Sequence, residues 1–305
     1  MCKDLHSTIK VGIVQFMAYP STIAGEGPIL ETISKIAKDD FFGAIEVTRI
    51  NDAEVRKQVA SVLEQSRMTV GFGCQPVQLM GKLNLNSFDL QERGHAITAI
   101  KDLLPQAHEL GAKKLAVLSG PDPGIEKRAA AIELLVESLI DICKVALEKY
   151  GIDVVLEVFD RDIDKKCLIG STEDAVKVSE AVRRTCPNFG LMIDLSHLPL
   201  KGETAIQSLT LAKDHLVHVH IGNCVLNDNS NPAFGDHHPR FGFPGGEVDV
   251  QELTDFLRVL RNIGYLNDDG DLKVVAFEVK PTPGEDSDLI IANAKRTLRE
   301  AWAKV

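Results

Sequence analysis

His218 and His220 stand two apart in Val217-His218-Val219-His220-Ile221, so on a strand both imidazoles face one side and the apolar residues the other. Gly222-Asn223 follows as a turn signal, which puts His220 at the carboxyl end of that strand. An imidazole there is either a core histidine satisfied by backbone carbonyls or a ligand or acid–base group. Glu157, Asp194 and Glu278 tip the choice, because each sits among apolar neighbours where an unpaired carboxylate is costly. A separate Lys or Arg could neutralise any one of them; a shared divalent cation relieves all three. Three carboxylates and one imidazole suit Mn²⁺ first, with Mg²⁺, Co²⁺, Ni²⁺ or Zn²⁺ also accommodated.

A cation chelating a carbonyl and its neighbouring hydroxyl makes the proton alpha to the carbonyl removable by a nearby carboxylate. Return of the proton to the other face is epimerisation, and return to the next carbon is aldose–ketose isomerisation. Where that position carries a leaving group, the same enediolate eliminates. The constellation alone does not choose among these.

Four neighbouring strands must deliver these residues to one rim. Short β-branched runs alternate with amphipathic segments along the whole chain: strands are predicted at Val11–Phe16, Ala44–Val47, Thr69–Phe72, Lys114–Leu118, Val154–Val158, Gly190–Ile193, Leu216–Ile221 and Val274–Val279. Helices are predicted near Ile29–Ala37, Asp52–Gln65, Leu90–Leu110, Gly124–Tyr150, Thr172–Arg184, Thr204–Lys213, Val250–Ile263 and Asp286–Ala303. Eight strand–helix units at this length predict an α/β chain folded as a single (β/α)8 TIM barrel over residues 1–305. No Gly-x-Gly-x-x-Gly loop follows the first strand, which weakens a dinucleotide-binding sheet.

The set Glu157, Asp194-x-x-His197, His220 and Glu278 resembles that of the xylose-isomerase-like TIM-barrel superfamily, most of all its ketose 3-epimerase and hydroxypyruvate isomerase branch. The resemblance implies one divalent metal held by Glu157, Asp194, His220 and Glu278, with the two glutamates doubling as acid and base on a metal-stabilised enediolate. It implies His197 as a substrate contact, together with an arginine after the seventh strand. The implied protein is a metal-dependent sugar isomerase or epimerase. The runner-up is a lyase on an oxidised sugar: a 3-oxo-glycoside C- or O-deglycosidase subunit, or an oxo-sugar-acid decarboxylase. The related apurinic-site endonucleases need further histidines at earlier strand ends, where this chain has Gly73-Cys74-Gln75 and Ser119-Gly120-Pro121. A sugar-binding barrel without catalysis would have no use for two opposed carboxylates.

The chain departs from the simple epimerase pattern after His220, where Cys224–Phe243 is long for a rim loop. His237, His238 and Arg240 could cap the site, and Arg240 could hold a carboxylate, phosphate or hydroxyl in its planar fork. Gln75 and Glu46, and less so Gln15 and Ser119, are candidates for substrate hydroxyls. Arg161 and Lys165 follow Glu157 in a segment that reads as a solvated loop, and His218 reads as packing or support behind His220.

An excess of 44 acidic over 34 basic residues argues against nucleic acid or an anionic membrane as partner. No apolar run is long enough to span a bilayer, and no apolar signal core opens the sequence. The six cysteines lack Cys-x-x-Cys spacing and read as reduced thiols. A cytoplasmic enzyme taking a small sugar or keto-sugar is expected, as a homo-oligomer with loops able to meet a partner subunit.

Overall fold

Eight parallel strands form in the order the sequence predicts: β1 (Ile9–Ile13), β2 (Ala44–Val47), β3 (Thr69–Gly73), β4 (Ala112–Val117), β5 (Asp153–Glu157), β6 (Phe189–Asp194), β7 (Leu216–Ile221) and β8 (Lys273–Phe277). This computed structural model describes residues 4–267 and 271–305. From β2 to β8 each strand pairs with the next in sequence, and β1 pairs with β8, so the sheet curls into a nearly closed barrel. The β1–β2 seam is held by a bridge between Val14 and Glu46 and by the Gly43 N–H donating to the Val11 carbonyl.

The main helices are α1 (Ile29–Ala37), α2 (Ala53–Ser66), α3 (Leu90–Lys101), α4 (Ile125–Val145), α5 (Thr172–Arg183), α6 (Ala205–Ala212), α7 (Val250–Asn262) and α8 (Ser287–Trp302). Caps fix where several begin. Asp52, Asp89 and Asp286 accept first-turn N–H groups, and Thr204 with Gln207 makes a capping box. The apolar helix faces pack on the outer side of the strands in one continuous core that includes Ile33, Val59, Leu139, Val178, Leu257 and Leu298. Such packing fixes the strand ends, and so the site, on a rigid frame.

Several boundaries differ from expectation, three of them instructively. β1 ends at Ile13, and Gln15–Ala18 turns into a short helix because unbranched side chains replace the β-branched run. The long third helix breaks at Asp102-Leu103 and resumes over Leu104–Glu109, with Pro105 tolerated near the new start. β8 stops one residue before Glu278, whose N–H still donates to the Ile221 carbonyl of β7. Cys74, Cys143, Cys167, Cys186 and Cys224 are free and buried; Cys2 lies outside the described residues. Among the described residues no helix is long and apolar enough to cross a membrane.

Candidate active site

Strand register brings the four predicted ligands together at the carboxyl rim. Glu157 ends β5, Asp194 ends β6 opposite His220 of β7, and Glu278 follows β8. One ligand atom from each lies within 4.8 Å of the others. The His220 Nδ1 stands 2.7 Å from Glu278 Oε2 and 3.5 Å from Glu157 Oε1. Gln75 Nε2 donates to Glu157 Oε2 at 2.8 Å, and the Ser196 N–H donates to Asp194 Oδ1 at 2.7 Å. That leaves Glu157 Oε1 and Asp194 Oδ2 buried with no hydrogen-bond partner. Native proteins rarely tolerate such groups, and both residues belong to the four-residue cluster. The donor set fits a divalent cation.

His220 is oriented from behind. Its Nε2 lies 2.8 Å from Glu46 Oε1, and His218 Nε2 lies 2.7 Å from the same oxygen. Burial opposes the Glu46 charge, but His220 and His218 outweigh it and hold the carboxylate well below its usual range. Glu46 therefore does not read substrate hydroxyls: it is inside the barrel beneath His220, outside the cavity above. Gly71 makes room for it, since a Cβ there would lie 3.0 Å from Glu46 Cγ. With Nε2 facing Glu46, Nδ1 is the ring nitrogen turned toward the carboxylates, hydrogen-bonded to Glu278 Oε2 here and able to ligate a cation when deprotonated.

The long loop supplies a second group of residues. Asp236 Oδ1 lies 2.9 Å from His197 Nε2 and 2.8 Å from His238 Nε2, and its other oxygen lies 3.0 Å from Lys165 Nζ. Lys165 arrives because Asp160 folds its loop, accepting the N–H groups of Ile163, Asp164 and Lys165. Burial lowers the His197 pKa, but Asp236, Asp194 and Glu157 outweigh it and lift it to about 10. His238 is likewise lifted against burial, to about 9, by Glu278, Asp236 and Asp194. Asp194, His197 and His238 form a second donor set sharing Asp194 with the first. Gly222 permits this packing, since a Cβ there would lie 2.5 Å from the Glu278 carbonyl oxygen and 3.0 Å from His238 Nδ1.

Above the ligands lies a cavity of about 180 Å³ lined by Gln75, Glu157, His220, His238, Glu278 and Lys165, with Phe16 and Phe159 among its apolar walls. Several other residues considered from the sequence are engaged elsewhere. Arg240 does not reach it: its Nε donates to Glu285 Oε1 at 3.0 Å, a second nitrogen donates to the Gly242 carbonyl, and the guanidinium lies over Phe243. Gln15 is committed to Thr22 and Thr32. Ser119 is used by the Ile169 N–H, and Arg161 by Asp174 and the Leu168 carbonyl. Sequence reasoning missed Asp236; its signal was an acid two residues before His238 in a loop already noted as long.

A family model described as the xylose isomerase-like TIM barrel matches residues 35–290. The chain belongs to that family. Among solved structures, D-psicose 3-epimerase from Clostridium cellulolyticum H10, bound to D-tagatose, is 22% identical with a TM-score of 0.65, covering 97% of this chain and 96% of its own. IOLI protein with a bound zinc atom is 17% identical with a TM-score of 0.73, covering 97% of this chain and 99% of its own. The 3-keto-D-glucoside 4-epimerase YcjR of E. coli, in apo form, is 18% identical with a TM-score of 0.64, covering 97% of this chain and 99% of its own. These likenesses establish the fold. A comparison with curated proteins found no match.

Proposed function

We propose that the chain is a divalent-metal-dependent isomerase or epimerase of a small keto-sugar. The observation that carries this is the pair of partnerless buried oxygens, Glu157 Oε1 and Asp194 Oδ2, converging with His220 and Glu278 beneath an open cavity. A divalent cation, Mn²⁺ first, held by Glu157, Asp194, His220 and Glu278 would supply Lewis-acid polarisation of a substrate carbonyl. One of Glu157 and Glu278 takes the proton alpha to that carbonyl, and the other returns a proton. Burial, with Glu157 adding to it, raises the Glu278 pKa against the pull of His238 and His220. Gln75 holds Glu157 in place through its amide N–H, and its own carbonyl oxygen is buried without a hydrogen-bond partner. His238 lines the same cavity as a substrate contact, whereas His197 stands buried behind it with its ring nitrogens facing the Val158 carbonyl and Asp236.

Chelation should abolish turnover, and Mn²⁺ or Co²⁺ should restore it. During turnover in deuterium oxide, label should enter the carbon alpha to the carbonyl; full activity after chelation, or turnover without label, opposes the reading. Glu46→Gln should weaken Mn²⁺ binding by about 10–100-fold, the range for losing a carboxylate behind a ligating histidine. A titration with Mn²⁺ measures it, and an unchanged dissociation constant would remove Glu46 from that role.

A lyase outcome on an oxidised sugar has its own support. The loop places His238 Nε2 3.6 Å from Glu278 Oε1, with its imidazole held charged. An acid there could protonate a departing oxygen. Release of the aglycone from a 3-oxo-glycoside selects this outcome over epimerisation.

A further inference from the structure

We propose that the substrate carries an anionic group, a carboxylate or a phosphate, which Lys280 and His237 hold at the outer end of the site. The proposal rests on the keto-sugar reading above and deepens it. The 180 Å³ inner cavity lies below the roughly 300 Å³ at which small-molecule sites usually begin. A groove of about 570 Å³ adjoins it, and the two share His237 and Lys280 in their walls. The groove is walled by Tyr19, Pro20 and Pro281, with Ser21 and Ser287 adding hydroxyls.

The charges at this seam are unequal. Lys165 is taken by Asp164 and Asp236, Arg240 by Glu285, and Arg161 by Asp174. Among the described residues no carboxylate or hydrogen-bond acceptor engages the Lys280 ammonium. Its backbone is nonetheless fixed, because the Lys280 N–H donates to the His238 carbonyl at 2.7 Å and Pro281 follows. In a chain with a net charge of −10, the cation at the mouth of the cavity is thus positioned and left unpaired. His237 is exposed at the same seam, where partial desolvation holds its ring pKa below the usual value, and the neutral ring keeps one N–H to donate. An ammonium and a neighbouring N–H are the donor pair an oxyanion requires. The acids nearby do not oppose this, since Asp164, Asp236 and Glu285 each already hold a cation.

The test uses the full chain loaded with Mn²⁺ and three probes: D-fructose, D-fructose 6-phosphate and 5-keto-D-gluconate. Calorimetry measures binding, and deuterium uptake from solvent measures proton abstraction. At least one anionic probe should bind about tenfold or more tightly than fructose, as for a charged hydrogen bond. Lys280→Met should erase that advantage and leave fructose binding unchanged, and Lys280→Arg should keep much of it. Preference for one anion over the other identifies which group is read. Equal binding of all three probes, or an equal loss for all three in Lys280→Met, overturns the subsite. Lys280-dependent anion binding with no deuterium uptake from any probe overturns the isomerase reading and leaves the subsite standing.

Discussion

Glu278→Gln is expected to lower turnover by about 10²–10⁴-fold at saturating Mn²⁺, the range for a positioned general acid or base. Gln keeps the shape and can still lie against His220 Nδ1, now 2.7 Å from Glu278 Oε2, so the fold should survive. It cannot take or give the proton. Glu157→Gln should act similarly, and Gln75, which donates to Glu157 Oε2, would then face an amide. Both substitutions also remove an anionic ligand, so turnover must be measured across a Mn²⁺ titration. If full occupancy restores either variant to within a few-fold of the parent, that carboxylate is a ligand and not a proton carrier. If one restores and the other does not, the proton moves through a single glutamate, which favours isomerisation or elimination over two-face epimerisation.

The cluster of Glu157, Asp194, His220 and Glu278 was legible because its positions depend on rules that act locally. Period-two alternation sets which face His220 takes, and parallel pairing sets Glu157, Asp194 and Glu278 beside it. Glu46 was not legible in the same way. Whether a β2 side chain meets β7 depends on how the barrel staggers across its interior, and no neighbouring residue encodes that. The loop was harder still. Arg240 and His238 lie two residues apart in irregular backbone, yet one turns outward to Glu285 and the other inward to Asp236. His238 does so with φ at 52°, a conformation that side-chain-bearing residues seldom adopt. No periodicity marks such a turn. Lys165 shows the same limit: its segment has the composition of a solvated loop, but Asp160 is buried at its centre and winds it inward.

Asp236→Ala is expected to destabilise the chelated protein by about 3–5 kcal/mol, the cost of removing one partner from a buried charge cluster. Three cationic groups converge on this carboxylate, and none has an easy way back to water. His197 and His238 are fully enclosed, and Lys165 ties the loop after β5 to the loop after β7 through Asp164 and Asp236. The pH dependence tests the cause. Both histidines have folded pKa values above their ordinary 6.5, about 10 and about 9. Their charged pairing therefore stabilises fully below about pH 6.5 and is lost as pH rises through 9 and 10. The chelated parent should lose stability between pH 7 and 10, and Asp236→Asn, which keeps the shape without the charge, should flatten that slope. Denaturant unfolding at each pH measures both. A parent whose stability is level across that range, or an alanine variant within 1 kcal/mol of it, would mean that the histidines are neutral in the fold. Asp236 would then be only a hydrogen-bonding post for the loop.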